Sequence, residues 1–200
     1  MLKLIATLGT VTLATATLGE AATVPISGGV TTVEVTADLA GLGLTGAPFG
    51  TAGVDVSGPN PVFAFDITGG SVDDGTGAAL IEHDGSGVTL TSATQGITIG
   101  NFLIDTDGAN LSGDVVGGAT GIAFFDLGTP TVAGIPLLIT ADLSGVLSLL
   151  FGAPDLVGAE FGIANTAPEV APVPLPASLS MLLGALVVAG VAARRRAARG

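Results

Sequence analysis

The central part of the chain alternates between apolar and polar residues, which is the pattern of half-buried β-strands. Over Thr32–Leu39 the side chains of Val33 and Val35 point one way, and those of Glu34 and Asp38 point the other. The same analysis predicts further strands over Val62–Thr68, Ala79–Glu82, Val88–Ser92, Ile97–Asp105, Leu111–Val116, Ile122–Leu127, Ile135–Thr140 and Ala159–Ala164. Their centres lie mostly about ten residues apart, which is typical of an antiparallel sandwich or barrel.

One segment departs from this period and predicts a short helix. Its apolar residues recur at helical spacing, at Leu143, Val146, Leu147 and Leu150. Thr140 suits the N-cap, and Gly152 can end the helix. The Gly-rich stretch Leu42–Gly53 predicts irregular structure, and Gly69-Gly70 predicts a turn. We therefore expect a mainly β domain, an antiparallel β-sandwich or partly open barrel, with one short helix that closes an end of the sheet.

The start of the chain has the three parts of a secretory signal peptide. Lys3 supplies a basic start, Leu4–Leu18 supplies an apolar middle, and small residues follow as far as Ala21. We expect residues 1–21 to form a signal helix that is removed by a cut after Ala21. A cut after Ala16 is the alternative.

The other end of the chain combines a proline-rich stretch, an apolar run and a basic cluster. Residues 165–174 contain three prolines and predict an extended linker behind an exported β-rich domain of residues 22–164. The run Leu179–Ala193 carries no charge and predicts a transmembrane helix over 177–193. Behind it stand Arg194, Arg195 and Arg196. A buried C-terminal helix is the alternative, and the pattern leaves open whether the tail is a permanent anchor or is later cut off.

The distribution of charge separates the two ends from the rest of the chain. The formal net charge is -12, and no Lys or Arg lies from position 4 to position 193. A domain without fixed cations repels phosphate backbones, which argues against nucleic-acid binding. Because Lys3 and the terminal arginines favour the cytoplasmic side, both ends predict that the acidic domain lies outside the cell. The chain has no Cys, so its fold relies on packing without disulfides.

Asp-rich turns offer the best binding chemistry in the sequence, because calcium takes about six to eight oxygen ligands. The candidate calcium ligands are Asp73, Asp74, Asp84, Asp105 and Asp107. The last two begin a stretch that starts like an EF-hand loop, but Val116 stands where such a loop needs a Glu. Asp side chains that bond the backbone of their own turns are the alternative explanation.

His83 is the only histidine, and it stands between Glu82 and Asp84. A base or a metal ligand is one interpretation of such a residue. Ser86 or Ser92 could complete a triad, but no nucleophile-elbow motif supports one. We expect a surface histidine at the end of a strand and no catalytic residue.

A short motif stands between the proline-rich stretch and the apolar run. It consists of Val173, Pro174, Leu175, Pro176 and Ala177. With the apolar run and the arginines behind it, the tail over 173–200 resembles the VPLPA variety of the PEP-CTERM sorting signal. The resemblance implies processing by an exosortase-type membrane transpeptidase of Gram-negative bacteria, after export by the Sec translocon and cleavage by signal peptidase. It concerns delivery and not the activity of the exported domain.

Together these patterns predict an exported, non-enzymatic protein of the cell surface or the extracellular matrix, anchored at least transiently in the inner membrane. The alternative is an extracellular module that binds calcium or a small ligand. A hydrolase that uses His83 is a third hypothesis.

Overall fold

The computed structural model describes residues 23–172. The predicted signal peptide, the motif Val173–Ala177, the transmembrane helix and the arginine cluster therefore lie outside the described residues. The described part contains β1 Thr23–Val35, β2 Thr45–Gly50, β3 Gly53–Asp55, β4 Val62–Asp66, β5 Gly69–Asp73, β6 Ala79–Thr91, β7 Gly96–Asp105, β8 Asn110–Val115, β9 Ile122–Leu127, β10 Ile135–Ile139, α1 Ala141–Phe151 and β11 Glu160–Val170. The predicted mainly β fold with an antiparallel sheet and one short helix is confirmed. Within residues 23–172 no helix has the length and apolar character needed to cross a membrane.

The strands form one antiparallel sheet that closes on itself. From β5 to β11 each strand pairs with the next, and β1 pairs with both β11 and β5, so these strands form a closed ring. Two shorter pieces complete the wall. β4 pairs with the second half of β1 and carries β3, while β2 pairs with the second half of β6.

The two longest strands change neighbours along their length. In β1 the first residues, Thr23–Pro25, pair with β5, whereas Val30–Glu34 pair with β4. In β6 the pairing with β7 shifts between His83 and Gly87, and the partner on the other edge changes from β5 to β2. A bulge bends a strand and increases its twist. These irregularities therefore let two long strands follow the curve of the ring.

Alternating apolar side chains fill the inside of the ring. Val33 and Val35, predicted to share one face of their strand, are both buried, and so are Phe63, Phe65 and Ile67. Phenylalanine rings then pack edge to face across the interior, with centroids 5.4 Å apart for Phe65 and Phe102 and 6.4 Å apart for Phe102 and Phe124. Such contacts add to the stabilisation that comes from removing apolar surface from water.

Helix α1 covers one end of the ring, and its predicted caps are confirmed. The Thr140 hydroxyl oxygen accepts a hydrogen bond from the Leu143 N–H at 3.3 Å, and Gly152 adopts the left-handed conformation with φ of 69°. The buried residues Leu143 and Leu147 face the ring. The helix thus begins and ends where its sequence signals predict.

Some segments differ from the prediction because their neighbours supply the hydrogen bonds. Asn165–Val170, predicted as the start of a linker, continue β11 and pair with β1 as far as Ile26. Gly69 and Gly70 belong to β5, and Leu42–Gly53 contains β2. Strand ladders use backbone groups, which Gly also has, so pairing decides the conformation of these Gly-rich segments.

Candidate functional site

His83 lies inside the ring with 1% of its surface exposed, so the prediction of a surface histidine is wrong. Alternation along β6 turns it inward together with Ile81. Its Nδ1 is 3.3 Å from the Phe102 carbonyl oxygen, and its Nε2 is 2.8 Å from the Thr31 hydroxyl oxygen. Because a carbonyl oxygen only accepts, a neutral ring donates from Nδ1 and accepts at Nε2. The Phe65 ring packs edge-on against the imidazole at 6.4 Å between centroids.

The environment of His83 favours the uncharged imidazole. Burial lowers its pKa below the ordinary value of 6.5, while the hydrogen bond to Phe102 and the charge of Asp84 act in the opposite direction. Both ring nitrogens already have partners inside the protein. The arrangement therefore suits a side chain that links strands of the ring.

The two serines considered as nucleophiles have other partners. Ser86 is fully buried, and its hydroxyl donates to the backbone carbonyl of His83 at 3.1 Å rather than to the imidazole. Ser92 donates to the carbonyl of Gln95 at 3.3 Å, within a turn. Neither hydrogen bond joins a serine to the imidazole in the way that nucleophile and base are joined in a triad.

Two of the candidate calcium ligands bond the backbone of their own turns. Asp73 Oδ1 accepts from the N–H groups of Thr76 at 2.8 Å and Gly75 at 2.9 Å, and Asp105 Oδ1 accepts from Asp107 N–H at 3.0 Å. The hydrogen bonds from Thr76 and Gly75 hold the pKa of Asp73 below its usual value. These contacts agree with the alternative explanation, in which the Asp residues stabilise turns.

A groove of about 280 Å³ beside these turns has Asp73, Asp105 and Asp107 among its lining residues. Asp74 is exposed in the turn that follows β5, and Asp84 is exposed farther along, at the irregular part of β6. Within residues 23–172 no three His, Cys, Asp or Glu side chains are grouped so that they could hold a metal ion. The calcium site stays a prediction from the sequence.

An apolar cavity of about 270 Å³ lies at the end of the ring that α1 covers, and we call it the end chamber. Loop 36–44, α1, the loop between α1 and β11 and several ring strands line it, and it is partly open to solvent. Its apolar lining includes Leu39, Leu42, Leu44, Leu143, Leu147 and Leu156. A smaller cavity of about 40 Å³ lies inside the ring. The two cavities share Leu90, Ile99, Phe125 and Phe161 as lining residues.

Two exposed carboxylates stand at the edge of the end chamber, Asp38 and Glu160. Asp38 Oδ1 accepts from the Gly41 N–H at 2.8 Å, and Glu160 Oε1 accepts from the Thr36 hydroxyl at 2.8 Å. Asp38 is therefore held by a neighbour of its own loop, whereas Glu160, on β11, is held by a residue of loop 36–44. The chamber combines a leucine-rich interior with a negatively charged edge.

Sequence reasoning missed the end chamber. Alternation predicts Leu39 in a strand, but that strand ends at Val35, and Leu42 and Leu44 lie in a stretch whose sequence predicts irregular structure. The available signal was three leucines in a Gly-rich segment, next to a helix with its own leucine face. Which loop covers which helix depends on the closure of the ring, and the local pattern does not contain that information.

Comparison with known proteins gives no family or relative: no family model, no curated protein and no solved structure matches the chain.

Proposed function

We propose that this chain is an exported, non-enzymatic protein of the cell surface or extracellular matrix, delivered by a signal peptide over residues 1–21 and a sorting tail over 173–200. One observation supports this proposal most directly. The first and last strands of the domain are antiparallel partners, with Ile26 opposite Val170 and the Ala171 N–H donating to the Pro25 carbonyl at 3.0 Å. The points at which the two predicted targeting segments join the domain therefore lie on neighbouring strands.

Adjacent chain ends suit a domain that is tied to one membrane at both ends during export. The cations of the chain lie only at its ends, at Lys3 and at Arg194, Arg195, Arg196 and Arg199. Positive residues stay on the cytoplasmic side, so an apolar helix over 177–193 would place the folded domain on the opposite side. Residues 23–172 contain only acidic charge, which does not hinder this transfer in the way that clustered arginines would.

The sorting motif would begin close to the folded domain. Val173 follows the last paired residue, Val170, by three positions, a distance of at most about 10 Å of extended chain. Pairing of Asn165–Val170 in β11 thus shortens the predicted linker to a few residues. We propose that the exosortase-type enzyme acts at Val173–Ala177, within a few residues of the folded ring. This step follows export by the Sec translocon and cleavage of the other end by signal peptidase.

The intact mass of the protein recovered from the cell envelope and the medium tests this function. We expect a mature chain that begins at Ala22. Loss of everything beyond about Ala177 indicates processing, and retention of Arg199 indicates a standing anchor. A full-length chain from Met1, recovered free in the cytosol, would overturn the proposal.

A matched pair of variants tests the motif itself. Pro176→Ala changes the motif, and Pro172→Ala changes a proline just outside it. If the tail is cut, the first variant should keep its tail while the second is processed as the native chain is. Equal processing of both would contradict a role for the motif.

A further inference from the structure

We infer that the end chamber binds an apolar small molecule that carries no negative charge, a function that goes beyond delivery to the cell surface. The chamber measures about 270 Å³. An engineered apolar cavity of about 150 Å³ is large enough to bind benzene, and close-packed interiors rarely contain voids larger than a water molecule. The space therefore admits an apolar body larger than a single aromatic ring.

The interior of the chamber offers a ligand no unpaired polar side chain. Ser144 is a buried polar residue of α1 near this end, but its hydroxyl donates to Asp155 at 3.2 Å and accepts from the Leu156 N–H at 3.0 Å. Within residues 23–172 no buried side-chain nitrogen or oxygen lacks a hydrogen-bond partner. Recognition in the interior therefore depends on contact with apolar surface.

Two phenylalanines form the floor of the chamber. The rings of Phe125 and Phe161 lie 5.0 Å apart between centroids at an interplanar angle of 39°, and both also line the cavity inside the ring. Aromatic side chains add apolar surface to the lining and interact favourably with other aromatic rings. An aromatic probe is therefore suited to test the chamber.

The edge of the chamber selects against anions. Asp38 and Glu160 line it, and residues 23–172 contain no Lys or Arg that could pair with an anionic head group. Like charges repel, and the field of the acidic domain adds to the local effect of these two carboxylates. A fatty acid or another anionic amphiphile therefore fits the charge of the site poorly, whereas an uncharged or cationic group at the edge does not meet this repulsion.

A pair of fluorescent probes separates apolar binding from charge selection. N-phenyl-1-naphthylamine is uncharged, and 1-anilinonaphthalene-8-sulfonate has the same ring system with a sulfonate added. We expect the purified full-length chain to bind the uncharged probe, with a higher melting temperature in its presence, and to bind the sulfonate at least about tenfold more weakly. Absence of binding of the uncharged probe would overturn the inference, and equal affinity for both probes would overturn the charge selection.

A cavity-filling variant locates the binding. Ala37 lines the end chamber, whereas Ala47 is exposed on β2 and lines no part of it. Ala37→Phe should lower the affinity for the uncharged probe at least about tenfold, while Ala47→Phe should leave it unchanged. The apolar terminal segments are identical in both variants, so probe bound to those segments cancels in the comparison. Equal affinities would show that the probe binds elsewhere and would contradict the inference.

Neutralising the two carboxylates at the edge of the chamber tests their role in the selection against anions. The double variant Asp38→Asn, Glu160→Gln should gain affinity for the sulfonate probe, and its affinity for the uncharged probe should change little. The control Asp66→Asn, Glu169→Gln removes the same total charge from exposed positions that do not line the chamber. An equal gain in the control would assign the selection to net charge alone and would contradict a role for the edge of the chamber.

Discussion

The Nε2 atom of His83 lies 2.8 Å from the hydroxyl oxygen of Thr31, and this contact joins β6 to β1 inside the ring. The two strands are not register partners, because β5 lies between them in the sheet order. The Thr31 hydroxyl oxygen is also 3.2 Å from the hydroxyl oxygen of Thr166 on β11. A short polar chain thus crosses the core at the place where the first and last strands meet.

This contact predicts that stability falls as the pH falls below neutrality. The pKa of His83 is lowered in the folded protein by burial, so the unfolded chain takes up the proton first, near its ordinary value of 6.5. The contribution of neutral His83 to stability is therefore fully present above about pH 6.5, and it is lost as the pH falls towards the lower pKa of the folded state. Urea unfolding of the full-length chain between about pH 8 and pH 5 measures the effect.

The variant His83→Gln gives the control for this pH dependence. His83 is the only histidine, and the carboxylates titrate mostly at lower pH. The variant should be less stable at neutral pH because the buried hydrogen bonds of His83 to Phe102 and Thr31 are changed. Its stability should nevertheless vary little between about pH 7 and pH 5. The same slope in the native chain and in the variant would contradict the assignment to His83.

Closure of the ring predicts that a substitution of Gly29 strongly lowers the stability of the fold. This residue has φ of 118° and faces Pro168 across the β1–β11 pair, and an added Cβ would overlap the Ala167 carbonyl oxygen. Gly29→Ala should lower the free energy of unfolding by on the order of 2 kcal/mol or more. Gly53→Ala, at the edge strand β3 with nothing within 4 Å, is the control and should change it by less than about 0.5 kcal/mol. Equal losses in urea unfolding would argue against the close β1–β11 approach.

The N-cap of α1 predicts different losses of stability for two substitutions of Thr140. Thr140 accepts from the Leu143 N–H, and its hydroxyl also donates to the Ala123 carbonyl at 2.6 Å. Thr140→Ala removes both hydrogen bonds and should cost about 1 to 2 kcal/mol of stability. Thr140→Ser keeps the hydroxyl and should lose clearly less. Thermal unfolding measures both variants, and an alanine variant as stable as the serine variant would show that the cap does not stabilise the fold.

Local patterns in the sequence account for much of the sheet but not for its closure. Ile122–Leu127 is a strand with the predicted bounds, and Thr140 and Gly152 cap the helix as predicted. In contrast, the two segments predicted as Ala79–Glu82 and Val88–Ser92 belong to the single strand β6, whose irregular middle contains Gly85 and Gly87. Glycine can mark a bulge inside a strand as well as a turn between strands, so the local sequence does not distinguish one long strand from two short ones.

The candidate site was harder to predict than the strands, for a physical reason. Alternation assigns His83 to one face of its strand, but which face is buried depends on the partners that the ring brings to it. The three leucines of loop 36–44 likewise acquire a role only when α1 lies opposite them. Residues far apart in sequence create both environments, whereas Asp73 and Asp105 bond their own turns, as short-range chemistry predicts.

Labelling of a single introduced cysteine tests the proposed location of the domain most directly. The chain contains no Cys, and Val132 is fully exposed in the turn between β9 and β10. In intact spheroplasts that express the full chain, a membrane-impermeant maleimide should label Val132→Cys without lysis, whereas a chain carrying Ala198→Cys should not react before lysis. Labelling of Val132→Cys only after the membrane is opened would contradict the export of the domain.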